Sequence, residues 1–141
     1  MASGARRFLG AAELARPLPG PTKVGPDACR LINQRTGGTI AHPVEIAATS
    51  RTRRRGLLGR TGLDPSWALV IAPCAAIHTA FMQFPIDVAF VARDGRVLKI
   101  VRSIGPWRMA AAFGAYAAIE MAAGSLDANL AVGDVVALTS R

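Results

Sequence analysis

From position 31 onward the chain is dominated by short apolar, β-branched runs broken by turn residues. Leu31–Arg35 reads as a first strand, Thr36-Gly37-Gly38 as a turn, and Thr39–Ala48 as a second strand with Val44, Ile46 and Ala48 alternating. Thr49 and Ser50 are both helix-capping residues, so a short helix is predicted from Arg51 to the neighbourhood of Gly59. Gly56 inside it costs about 1 kcal/mol relative to alanine, which leaves Leu57 and Leu58 as the anchors that tertiary packing must use. Leu63-Asp64-Pro65 reads as a turn, and Trp67–Ile71 as an apolar strand that stops at Pro73.

The sharpest local signal is Ile86–Val91 and Val97–Val101 flanking Asp94-Gly95, a tight hairpin. Both faces of Ile86–Val91 are mostly apolar, which suits a strand covered on both sides. Ile77–Phe84 is read as extended. The alanine-rich stretch that follows has helical propensity but poor periodicity, and Gly105-Pro106 and Gly114 punctuate it. It is divided into a loop across Pro106–Gly114 and a strand across Tyr116–Met121. Val132-Gly133-Asp134 then turns into a last strand, Val135–Thr139. The fold class expected is all-β: a compact sandwich or jelly-roll-like barrel with one or two short helices.

Residues 1–28, rich in Ala, Pro, Gly and Arg, show no sustained period and read as a flexible basic tail ahead of one domain over 29–141. Arg6 and Arg7 precede an apolar stretch that Gly10, Glu13 and Arg16 interrupt, so no signal peptide is recognised. No apolar run reaches the roughly 18 residues of a membrane span, and a cytoplasmic location is expected. The two cysteines are too few for a disulfide scaffold.

The net charge of +8 resembles a nucleic-acid signature until its distribution is considered. Residues 1–60 hold 11 Lys/Arg against 3 Asp/Glu, whereas residues 61–141 hold 6 of each. The excess lies in the tail and in the run Arg51, Arg53, Arg54, Arg55 and Arg60, with no aromatic residues interleaved for base stacking. Nucleic acid is therefore not the expected partner. Salt-sensitive polyanion binding through the basic N-terminal part stays as an alternative.

A set of motifs recurs in order: Arg55-Gly56-Leu57-Leu58-Gly59-Arg60, Ile77–Val88, Asp94-Gly95-Arg96-Val97, Pro106-Trp107-Arg108, Ile119–Gly124 and Val132-Gly133-Asp134. With these the chain resembles the domain-of-unknown-function family 192 over about residues 44–139. The resemblance implies a compact jelly-roll-type all-β sandwich with one or two short helices. Many members of that family carry a signal peptide or lipid anchor where this chain has a basic tail, and Ala122 stands where they carry proline. The family has no established activity, so the resemblance implies a fold and no mechanism.

Several side chains are candidates for chemistry. Cys74, His78 and Met82 are ligand types that suit Cu(I), but on an extended strand four residues span about 13 Å, beyond the reach of two metal bonds. No metal and no cofactor is expected. A Cys74 nucleophile beside His78 lacks a third, orienting residue nearby in sequence. Asp87 and Glu120 sit in apolar company and must be paired or at a rim, with Arg55, Arg60 and Arg108 as the available cations for Asp87. Together the two carboxylates are also the candidate pair of a hydrolase. Trp107, in a loop, is a platform on which a sugar would stack; Trp67 is expected in the core. Asp94 and Asp134 are explained as turn residues.

The leading functional expectation is a non-enzymatic binding or accessory domain. Its groove is bounded by Arg55, Arg60, His78, Asp87, Trp107 and Glu120, and takes a glycan, a small anion or a segment of a protein partner.

Overall fold

The computed structural model describes residues 29–139, apart from the side chains of Arg54 and Arg55. The expected tail at 1–28 lies outside the described residues. Nine strands and one helix are present among them: β1 (Cys29–Asn33), β2 (Thr39–Ala47), α1 (Ser50–Arg55), β3 (Ala68–Ile71), β4 (Ala76–His78), β5 (Ile86–Val91), β6 (Val97–Ile104), β7 (Met109–Ala111), β8 (Ala117–Ala122) and β9 (Val136–Thr139). The fold is all-β, as the residue pattern predicts.

Seven strands form one curled sheet in the order β6-β5-β8-β3-β2-β1-β9, and β4 and β7 form a separate two-stranded flap. All pairings are antiparallel except β2 with β3, where the chain returns through α1 to lie parallel. A bridge between Arg96 and Val135 brings the two edges of the sheet together. Val97 N–H donates to the Asp134 carbonyl at 2.8 Å, and Val136 N–H to Gly95 at 2.9 Å. The half-barrel is thus fastened at one corner by backbone bonds.

Both faces of the sheet are buried. One face carries Leu31, Ile46, Val70, Val91, Ile119 and Met121, which pack with Leu126 from the turn after β8 as the barrel interior. The other carries Leu69, Ile71, Ile86, Val88, Phe90 and Ala118, covered by Leu57 behind α1 and by Ile77 and Met82 around the flap. Strands β3 and β5 are buried at every position, and β8 at all but its last. A β-strand whose successive side chains both find apolar neighbours must read as a continuous hydrophobic run. That is why Ile86–Val91 lacks alternation.

The local signals resolve as follows. Thr49 caps α1: its hydroxyl accepts from Thr52 N–H at 3.1 Å while the Thr52 hydroxyl accepts from Thr49 N–H at 3.1 Å. The helix is shorter than expected, ending at Arg55, because Gly56 takes φ 44° and turns the chain so that Leu57 packs inward. The hairpin at Asp94-Gly95 is present, with Gly95 at φ 89° and the Asp94 carboxylate accepting from Arg96 N–H at 3.0 Å. The loop expected over Pro106–Gly114 contains β7, whose three residues are a strand only through pairing with β4. The extended reading of Ile77–Phe84 holds to His78 and then fails: Met82 N–H bonds back to the Thr79 carbonyl at 3.1 Å, with Phe81 at φ 63° in the turn.

Candidate functional site

The parallel return from β2 to β3 lays α1 beside the end of β3, and the flap approaches from the other side. Between them lies a cleft of about 360 Å³. Its apolar walls include Leu57, Leu58, Ile71, Pro73, Ile77 and Met82, and its polar groups are Ser50, Arg53, Cys74, His78 and Glu120. The turn at 79–82 folds Met82 back beside His78, so Cys74, His78 and Met82 border one space despite the strand-length argument that separated them. Among the described residues no three His, Cys, Asp or Glu side chains are placed to hold a metal ion together.

Glu120 is the unusual member. On β8 it lies opposite Val88 and is turned toward the covered outer face. It is 4% exposed. No described group donates a hydrogen bond to its carboxylate, and burial pushes its carboxyl up from 4.5 to about 7. A buried carboxyl without a partner normally costs several kcal/mol in the ionised form, so it stays neutral until pH forces the proton off.

Around it, the Cys74 thiol donates to the Ala76 carbonyl at 3.1 Å. Burial pushes this thiol up, with the nearby Glu120 charge adding to the rise and Arg53 opposing it. A thiol held protonated is a poor nucleophile. Arg53 reaches the Pro73 carbonyl through Nη1 at 3.1 Å and the Ser50 hydroxyl through Nη2 at 3.4 Å. Its Nε–H is buried without an acceptor among the described residues. His78 is exposed at the mouth, on the flap opposite Met109.

The other expected groove residues are placed elsewhere. Asp87 is fully buried, and its carboxylate accepts three backbone N–H bonds: from Ser103 at 2.8 Å, Gly124 at 3.0 Å and Leu126 at 3.1 Å. Among the described side chains neither Arg60 nor Arg108 pairs with it; main-chain amides do the work assigned to arginine. Asp87 does not reach the cleft. It belongs to the sheet face opposite Glu120, so the two carboxylates do not flank one bond and the hydrolase pair is not assembled. Arg60 bonds Glu45 at 3.2 Å, and its guanidinium lies 4.3 Å from the centre of the Trp67 ring, which is in the core as expected. Trp107 is 63% exposed and meets Phe81 edge-on with ring centres 4.6 Å apart, outside the cleft. Arg55 closes α1, with its side chain outside the described residues.

The sequence reading passed over two features. In the sequence Arg53 is one of a basic run, and its bonds to the Pro73 carbonyl and the Ser50 hydroxyl set it into the cleft wall. Asp134 was a turn residue; it is buried and clasped by Arg35 at 2.7 Å, by Asn33 at 2.8 Å and by Ala131 N–H at 3.0 Å.

No helix among the described residues is long and apolar enough to cross a membrane. No curated protein matches the chain. Two solved structures share its fold, each with a TM-score of 0.68. One is a proposed transcription regulator from Sinorhizobium meliloti 1021, 22% identical, with the match covering 80% of this chain and 93% of that one. The other is a protein of unknown function from Novosphingobium aromaticivorans DSM 12444, 23% identical, covering 91% and 97%. A family profile described as Uncharacterized ACR matches residues 32–138, well over half of the chain, and the chain belongs to this family, DUF192.

Proposed function

We propose that the protein is a non-enzymatic binding module, and that the cleft between α1 and the flap holds a small organic molecule. Its polar head meets Glu120, and its apolar body lies against Leu57, Ile77 and Met82. One observation carries this reading: a carboxyl 4% exposed, with no described partner, borders an open cleft instead of a sealed core. A buried polar group in that position is costly to the fold unless something meets it. The volume is in the range of small-ligand sites, and the mix of apolar walls with a few polar groups matches their usual lining. Of the groove residues expected from the sequence, this reading keeps His78 and Glu120. Arg60, Asp87 and Trp107 have structural or surface tasks.

The test is a thermal-shift screen with sugars, nucleotides, organic acids, amines and amino acids, followed by calorimetry on any hit. Ligand binding to the native state raises the midpoint by mass action. The expected result is a shift that is lost in Glu120→Gln, reduced in His78→Ala and unchanged in Trp107→Ala. A hit that is insensitive to Glu120→Gln, or no hit from any class, overturns the reading.

A further inference from the structure

We infer that the cleft takes a small zwitterion with an apolar side group, of the hydrophobic amino-acid class, its ammonium on Glu120 and its carboxylate on the Arg53–Ser50 side. This rests on the binding role just proposed and names its ligand.

Two side chains of opposite charge type, Arg53 and Glu120, line the same cleft, yet no bond between them is present. Both act electrostatically on the Cys74 thiol, in opposite senses, so both border the space around it. Arg53 is anchored by the Pro73 carbonyl and retains an orphaned buried Nε–H, while its Nη2 makes only a long contact with the Ser50 hydroxyl. The Glu120 carboxyl is 4% exposed and receives no hydrogen bond from any described group. A singly charged ligand satisfies one end and meets like charge at the other. A bare amine sits in the field of Arg53, and a bare carboxylate leaves Glu120 unpaired and repelling. A molecule with both charges answers both, and each buried contact of this kind is charge-assisted. Leu57, Ile71, Ile77 and Met82 are buried and apolar, and form a wall for an aliphatic or thioether side group. Polymers and nucleotides fit this lining less well, since Arg53 is its one arginine beside the single Glu120 carboxyl and an apolar wall.

Calorimetry at pH 8 on the full chain tests this with L-leucine, L-methionine and L-phenylalanine, set against L-leucine methyl ester and N-acetyl-L-leucine. The free amino acids are expected to bind, and each capped form to bind at least tenfold more weakly. Glu120→Gln should weaken free leucine at least tenfold and tighten N-acetyl-leucine, whose lone carboxylate no longer meets the Glu120 charge. Arg53→Gln should weaken leucine and tighten its methyl ester, whose lone ammonium no longer meets the Arg53 charge, with Arg53→Lys retaining part of the affinity for leucine. Thermal melts establish that each variant is folded. Equal binding of leucine and its methyl ester overturns the zwitterion while leaving the Glu120 site standing. So does silence from all amino acids alongside a broader hit that Glu120→Gln abolishes. Silence from both screens overturns the inference and the binding reading together.

Discussion

Asp87 and Glu120 occupy adjoining steps of the β5–β8 ladder, where Asp87 lies opposite Met121 and Val88 opposite Glu120, yet their side chains leave the sheet on opposite faces. The period of two in a strand imposes this separation. One carboxylate is saturated by three backbone donors and locks β6 and the turn after β8 onto β5. The other faces a cleft and is answered by no described group. Two buried acids of the same sheet therefore have opposite relations to solvent chemistry.

Glu120 should limit the stability of the ligand-free protein. Its folded-state pKa of about 7 lies above the ordinary 4.5, so the folded state holds the proton more tightly. That contribution is complete below about pH 4.5 and is lost as pH rises through about 7. A shift of this size corresponds to about 3 kcal/mol between the two limits. Glu120→Gln should raise the melting midpoint, with a gain that widens from pH 5 to pH 8. Melts across that range check this; a gain independent of pH would contradict it.

Asp87→Ala should strand three buried N–H groups at once. Each unsatisfied buried donor costs about 1–3 kcal/mol, so the total loss should be at least about 3 kcal/mol. Urea titration reads it as a fall in the transition midpoint. Asp87→Asn should recover part of the loss, because its carbonyl oxygen can still accept. A loss below about 1 kcal/mol in Asp87→Ala would show that the amides find other acceptors.

Asp134 should make the barrel corner acid-sensitive. The hydrogen bond from Arg35, reinforced by Asn33, holds its carboxyl below the usual carboxylate range. Its stabilisation is therefore present above the ordinary 3.8 and is lost as pH falls below it. Wild type should lose stability in that acid window, and Asp134→Asn, already weaker at neutral pH, should lose less. Parallel acid titrations by circular dichroism distinguish the two slopes.

Trp107→Ala should leave the cleft untouched. The exposed ring meets Phe81 edge-on, a contact worth roughly 0.5–1.5 kcal/mol. The expected stability loss is about 1.5 kcal/mol at most, with ligand affinity unchanged in calorimetry. Lost affinity would move the site to the flap's outer surface.

The elements legible in the sequence are those whose cause is local. Asp94-Gly95 supplies the turn that joins β5 to β6, Thr49 caps α1 with its own third neighbour, and the double-faced apolar run of β5 announces a central strand. Met109-Ala110-Ala111 carries no β preference, and its strand exists because Ala76–His78 lies beside it. The return at Thr79–Met82 has no Gly or Pro to mark it, so the extended reading ran on and kept Met82 away from His78. For Asp87 and Glu120 the need for a partner was legible and the partner was not. Backbone amides have no residue code, and the solution for Asp87 comes from 16 to 39 positions away. The side-chain partners of Asp134, Asn33 and Arg35, lie about a hundred positions away, beyond any local pattern.

The antiparallel pairing of β1 with β9 sets Arg30 opposite Thr139, so the two ends of the ladder are neighbours within one strand spacing. The described span is in this respect almost a ring. A short linker joining residue 139 to residue 29, in a chain of the described span alone, with a new opening in the exposed stretch at Thr61-Gly62, would keep every ladder of the sheet. In such a circular permutant α1 and Leu57 would close the chain while β3 and Ile71 would begin it. The cleft would then be assembled from opposite termini, and its occupancy would report directly on whether they had come together.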